Sequence, residues 1–345
     1  MNEDNALFRL AKMNVCQNPD VNVLNTTKME QYSFLVSAID AVLKAKLKNR
    51  TLVLPELRKF GNQTIGVYSD YGGEANDSKY LTYSFLFCGY DHSYGFPDEI
   101  GKIRTKYKLG DHEIAFKDLR FGPTMRALPD YLRTIDFLVV GILVTIIVDK
   151  RIRTFFGSDD DQPNDIVEML EQESFGRWKP HSAEKLLRVV HVISYFIALL
   201  SKDGQKIFWM TDNDAIAANQ GKHQLLLKIF QRVLPIYTLN SFAHIGGATP
   251  FENDGVGFLD FLSSTDIAAG AVEQYFTRKG AGADEVFVKD GADKILKWLC
   301  HDGIGLKKLT IKIENRHNEL LASEVTFHEK NKDRDAVKVY VPINY

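Results

Sequence analysis

The sequence predicts an α/β protein with a mixed sheet flanked by helices, and three observations carry that prediction. Apolar runs with strand character alternate with helical segments along the 345 residues. Among these runs, Phe137 to Val148 has the Val, Ile and Thr content that suits a pleated, buried surface. Between them lie stretches whose apolar residues recur every three or four positions, the signature of a helix burying one face.

Residues 1 to 60 read as a helical amino-terminal extension, because Tyr32 to Leu47 has this three- and four-residue recurrence. Ile65 to Ser69 and Leu81 to Phe87 then read as two strands of an antiparallel hairpin, joined by a loop from Tyr71 to Lys79 in which Gly72 and Gly73 supply the turn. Glu113 to Leu119 and Thr124 to Arg133 predict loop and helix, interrupted at Pro123 and Pro129. Leu138 to Val148 is a buried strand, and Ser158 to Asn164, with its acidic triplet, a solvated polar loop. Ala183 to Leu200 predicts an apolar helix, Lys206 to Thr211 a strand, Lys222 to Leu234 a helix and Ile236 to Ile245 a strand. Beyond residue 280, Lys294 to Cys300 reads as helix, while Leu309 to Glu314, Ala322 to His328 and Val337 to Val341 alternate like half-exposed strands. The expected organisation is an extension over 1–60, a central domain over 61–280 and a carboxy-terminal extension over 281–345 with a small antiparallel sheet.

Composition narrows the function classes. With 45% apolar and 26% charged residues, the chain can bury a substantial core and is not expected to be disordered. A formal net charge of -2 demands no polyanionic partner, so a nucleic-acid enzyme with this balance must concentrate its basic residues locally. The three cysteines, Cys16, Cys88 and Cys300, lack paired ligand spacing, which predicts neither a disulfide framework nor a zinc knuckle and fits a reducing cytoplasm. The longest apolar run is shorter than the roughly 20 residues a spanning helix needs, and no secretory signal is read at the start, so no membrane partner is expected.

The chemistry lies in acids at the ends of apolar runs: Asp70 after Ile65-Gly-Val-Tyr-Ser, Glu113 before Ile-Ala-Phe-Lys117, Asp212 after Ile207-Phe-Trp-Met-Thr, and Asp266 inside Ser264-Thr-Asp-Ile-Ala-Ala-Gly-Ala-Val272. Carboxylates in such places cost desolvation energy, which a divalent cation commonly offsets. Phosphodiester cleavage by two ions about 3.5–4 Å apart uses a set of bridging carboxylates of this number. For each acid there is a plainer reading. Asp70 caps a hairpin loop, Asp266 is a helix amino-terminal cap after Ser263, Ser264 and Thr265, and Glu113 pairs on the surface with Lys117. Asp214 and Asp149 are reserve ligands; one of Asp212 and Asp214 also suits the start of a turn through Asn213, and Asp149 has Lys150, Arg151 and Arg153 beside it. Phe175 to His181, aromatic and basic, suits either nucleic-acid contact or a loop before a helix.

Three blocks, Asp70-Tyr-Gly-Gly73, Glu113-Ile-Ala-Phe-Lys117 and Phe258 to Val272, resemble the signature blocks of the domain of unknown function 3800 family, a ribonuclease H-like group. The resemblance covers roughly residues 62 to 280, with Thr265 standing where the family block has Ala and no Gln preceding it. It implies a ribonuclease H-like catalytic domain with Mg²⁺ or Mn²⁺ held by Asp70, Glu113, Asp212 and Asp266; Lys117, four residues after Glu113 and so on the same face if this segment is helical, is then placed to contact the scissile phosphate. The implied activity is hydrolysis of DNA or RNA, in mobile-element or anti-phage defence, with nucleic acid and a protein of that system as partners. The alternative is a ribonuclease H-like adaptor that has lost catalysis. An actin-type ATPase would share the Asp-x-Gly turn, but no duplicated second half follows.

Overall fold

The computed structural model describes residue 24 and residues 32–120, 122–156, 164–250, 256–280, 290–316, 319–328 and 340–341. The acidic triplet within 158–164 lies outside these residues, as do most of the first 31 positions and residues 337–339 of the last expected strand.

One mixed sheet organises the chain. Its strands are β1 (Thr64–Gly72), β2 (Tyr80–Gly89), β3 (Gly141–Asp149), β4 (Lys206–Thr211), β5 (His244–Ala248), β6 (Leu306–Arg316), β7 (Glu319–Glu324) and the two-residue β8 (Tyr340–Val341), in the spatial order β5-β4-β1-β2-β3-β6-β7-β8. β1, β2 and β3 form an antiparallel meander, β4 pairs in parallel with β1, and β5 in parallel with β4. β6 pairs in parallel with β3, and β7 turns back against β6. The strands beyond residue 280 are therefore not a small sheet of their own, as the sequence suggested, but extend the main sheet. Their alternating pattern is common to any sheet with one polar stretch, and it carries no information about which strand they join.

Among the described residues, eight helices cover the two faces. Against one face lie α1 (Phe34–Lys48), α4 (Asn164–Gln172), α5 (Pro180–Leu200) and α6 (Gln220–Val233); against the other lie α2 (Phe96–Tyr107), α3 (Gly122–Leu138), α7 (Val256–Gly280) and α8 (Asp290–Leu299). Each face has its own apolar core, because successive strand residues point to opposite sides. Val67, Phe85, Val144 and Trp209 enter the first core, and Tyr68, Leu86, Leu143 and Met210 the second. α1 belongs to the first core through Val36, Ile39 and Leu43, and Lys46 pairs with Glu324 of β7, so this helix of the expected extension packs on the body of the fold.

Three expected elements differ. Pro129 does not interrupt α3, because it lies on the exposed side of the helix, where water can receive the carbonyl it leaves unpaired. Ile236 to Ala243 is not strand: Leu234–Ile236 is a 3-10 turn, and β5 starts at His244. α2 and α4 were not expected, although Phe96, Ile100 and Ile103 follow helical spacing and Pro97 sits in the first turn, where proline is favourable.

Candidate functional site

Asp70 and Asp212 are neighbours by strand register. Ser69 of β1 faces Thr211 of β4, and the Asp212 amide donates to the Ser69 carbonyl at 3.1 Å, so the two acids follow one another across adjacent parallel strands. Asp70 also lies opposite Ser84 of β2, which lies opposite Thr145 of β3, and the two hydroxyls are 3.2 Å apart. The Asp70 carboxylate is buried, and its Oδ1 accepts the Tyr71 amide at 2.5 Å. Alternation puts it on the same face as Tyr68, beneath α7.

Asp266 comes down onto that face from the middle of α7. The helix starts at Val256, ten residues earlier, so Asp266 is not a cap. The hydroxyls of Ser263, Ser264 and Thr265 instead donate to carbonyls of their own helix, at Leu259, Phe261 and Leu262. Asp266 Oδ2 accepts the Phe116 amide at 2.6 Å, which ties the helix to the segment carrying Glu113. Gly270 serves this tie rather than a close approach to the sheet, since a Cβ there would lie 2.3 Å from the Phe116 ring.

Glu113 sits in a loop ahead of a 3-10 turn at Phe116–Asp118, so Lys117 is not one helical turn away on a shared helix face. The loop is anchored from below. Arg104 of α2 donates from Nη1 to the carbonyls of Gly110 and His112, at 2.9 and 2.8 Å, while its Nε and Nη2 grip Asp260 of α7 at 3.1 and 2.5 Å. Both charged groups of this pair are buried. This positioning was not expected from sequence; an Arg on the apolar face of α2 was the signal available for it.

The acids feel one another. Burial first, then the charges of Asp266, Asp212 and Glu113, hold the Asp70 carboxyl well above its ordinary range, although the Tyr71 amide opposes this. Burial, Asp266 and Asp212 push Glu113 up to about 7, with Lys117 opposing and Asp118 adding. Burial raises Asp266 to about 6 against the Phe116 amide, with Asp212 raising it and Lys117 lowering it. All four predicted acids thus share one field at one end of the sheet, and Lys117 is the cation that reaches both Glu113 and Asp266. Among the described residues, however, no three His, Cys, Asp or Glu side chains are drawn to the spacing at which they would grip one ion. As donors, four carboxylates against apolar surface fit a hard divalent cation such as Mg²⁺ or Mn²⁺, which takes oxygen ligands and keeps waters.

The reserve ligands are engaged elsewhere. Asp149 is gripped through both oxygens by Arg151, at 3.1, 3.0 and 2.6 Å; burial raises its carboxyl, but Arg151 takes it below the usual range. Asp214 accepts the Ile216 amide at 2.9 Å and pairs with buried Lys185, which also holds Glu74 at 2.5 Å and lies over the Tyr71 ring. Asp118, within the same 3-10 turn as Lys117, is an acid of the site that sequence reading passed over. Glu273, seven residues after Asp266 on the same helix face, stands beside Gly72, 4.0 Å from where a Cβ would be. The i, i+7 spacing was the available signal for it.

No family model, curated protein or solved structure matches this chain. Among the described residues no helix is long and apolar enough to cross a membrane.

Proposed function

We propose that this chain is a divalent-metal-dependent nuclease with a ribonuclease H-like catalytic fold, hydrolysing phosphodiester bonds in DNA or RNA. The observation that carries the reading is the shared field of Asp70, Glu113, Asp212 and Asp266. These acids lie on separate segments spanning nearly 200 positions of sequence, yet three of them are raised by burial and, beyond it, by the charge of other acids of the set. A structural role rarely gathers so many like charges, because each costs stability; functional sites do so for chemistry.

Asp70, Asp212 and Asp266, with Glu113, would hold Mg²⁺ or Mn²⁺, which when bound supplies Lewis-acid polarisation of the phosphoryl group and an activated water. The protein's own part follows from its geometry. β1 lies between two paired strands and gives Asp70 a rigid mount. The Phe116 amide donates to Asp266 Oδ2 and fixes that carboxylate, and Arg104 fixes the loop of Glu113. In the ion-free protein burial and the charges of Asp266 and Asp212 push Glu113 up to about 7, so it must give up a proton before it can serve as a ligand. Lys117 brings positive charge beside Glu113 and Asp266, where a phosphate would meet it.

The test pairs two assays on wild type and Asp70→Asn: cleavage of single- and double-stranded DNA and RNA with Mn²⁺, and thermal unfolding with and without the ion. Cleavage lost in the variant, together with a Mn²⁺-dependent rise in melting temperature seen in wild type alone, is the expected result. Equal cleavage by both proteins removes Asp70 from the site. No cleavage of any substrate by wild type transfers the reading to a non-catalytic ribonuclease H-like adaptor.

A further inference from the structure

On the face of the sheet opposite the acids, but at the same end, lies a cavity of about 570 Å³. It is placed by the same strands. Leu81, at the start of β2, forms part of its floor, and Glu74 of its wall follows Asp70 by four residues, a backbone reach of at most ~14 Å. Leu81, Ile152 and Pro180 make the floor apolar.

Among the described residues its charge is unbalanced. Both acids in the wall are already engaged: Glu74 by Lys185 at 2.5 Å, and Glu184 by Arg188 at 2.8 Å, the Thr154 hydroxyl at 2.9 Å and the Phe155 amide at 3.0 Å. Lys150 and Arg153 also line the cavity. Lys150 Nζ donates to the neutral carbonyl of Ala75 at 2.6 Å, and the Arg153 side chain is exposed. Neither cation is matched by a carboxylate in an ion pair among the described residues. His181 stands in the same wall, at the start of the 21-residue α5, whose first amides receive no side-chain cap. Glu74 registers the resulting field: burial raises its carboxyl, yet Lys185, His181 and Lys150 together take it below the ordinary range. The preceding aromatic and basic stretch contributes little else, because Trp178 is buried with its Nε1 on the Phe175 carbonyl and Arg177 pairs with Glu171.

We propose that this cavity binds the phosphate backbone of single-stranded nucleic acid, with Lys150, Arg153 and His181 as the phosphate contacts. A volume of about 570 Å³ admits a nucleotide over the apolar floor but not a duplex. The placement of the cavity lets one strand turn round the end of the sheet toward Asp70, and this direction rests on the nuclease reading; the binding itself does not. DNA and RNA present the same phosphate, so both belong in the test.

The experiment is fluorescence anisotropy of labelled 12-nucleotide DNA and RNA single strands in chelator, over a salt series, for wild type, Arg153→Glu, Lys150→Glu/Arg153→Glu and Lys102→Glu on α2, a control that matches Arg153→Glu in charge. Thermal melts confirm that each variant is folded. Wild type should bind with strong salt dependence. The double variant should bind at least about tenfold more weakly at 0.1 M salt, with the slope of log K against log salt smaller by about 1.4, two single-strand phosphate contacts at about 0.7 each. Lys102→Glu should match wild type. Absence of binding by wild type overturns the proposal, as does equal weakening by Lys102→Glu or unchanged binding by a folded double variant. The outcomes separate the two readings: a nuclease failure shows as intact, cavity-dependent binding without cleavage in Mn²⁺, and a cavity failure as cleavage indifferent to Arg153→Glu.

Discussion

Asp266→Asn should stabilise the ion-free protein at pH 8 and leave it nearly unchanged at pH 4. The reasoning starts from the Asp266 carboxyl, which the fold raises from 3.8 to about 6. A raised acid holds its proton longer in the native state than in the unfolded chain, so between these two values the native state binds more protons and stability falls as pH rises. Below about pH 4 both states are protonated and nothing is lost. Above about pH 6 the penalty is complete, at about 2–3 kcal/mol. Asparagine removes the charge but keeps an oxygen in place to accept the Phe116 amide, so it should recover that penalty without breaking the tie between α7 and the Glu113 loop. For a chain of 345 residues, an unfolding entropy of roughly 2.1 cal/mol/K per residue converts the gain to about 3–4 °C in melting temperature. The assay is thermal and urea unfolding in chelator at pH 4.5, 6 and 8 for both proteins. A difference that does not grow with pH, or a variant less stable than wild type at pH 8, would refute the account of a repelled, desolvated carboxylate.

Three further outcomes follow from the same geometry. Gly270→Ala should cost about 1–3 kcal/mol in overpacking against Phe116, partly offset by about 1 kcal/mol of helix propensity, and should lower Mn²⁺-dependent cleavage by at least about tenfold because the displaced turn carries the amide that holds Asp266; melts and cleavage rates read the two effects separately. Arg104→Ala leaves Asp260 buried and uncompensated, so a loss of about 3–5 kcal/mol is expected, seen as a fall of about 4–7 °C in melting temperature. Because Glu113 must lose its proton to act as ligand or base, cleavage should rise with pH through about 7 and the rise should shift to lower pH as Mn²⁺ increases; a rate flat from pH 5.5 to 8.5 removes Glu113 from that role.

Much of the framework was legible because its signals are local. The strand at Lys206–Thr211, the hairpin of β1 and β2, and the apolar helix ending at Leu200 are written in short runs of residue type, and the structure has them with small shifts at their ends. The four acids were legible for the same reason, as charges interrupting apolar runs. What was not legible depends on partners distant in sequence. Nothing near Arg104 says that it meets Asp260, 156 residues away, and nothing in Leu309 to Glu314 says that this strand pairs with β3. Asp149 and Asp214 could be weighed as ligands only until Arg151 and Lys185 were seen to hold them. Gly270 was readable as a small residue, but its purpose required knowing where Phe116 lies.

The placement of Asp266 on α7 has a consequence for the protein's biosynthesis. A ribosome completes β1 through β5 before α7 begins, so a nascent chain has Asp70, Glu113 and Asp212 early but cannot bring Asp266 to them until residues 256–280 have emerged and covered Tyr68, Leu86 and Met210. The segment that closes the second core is thus the one that completes the acidic cluster. No fragment ending before that helix can assemble the cluster, and a chain interrupted there leaves the second core without the helix that closes it.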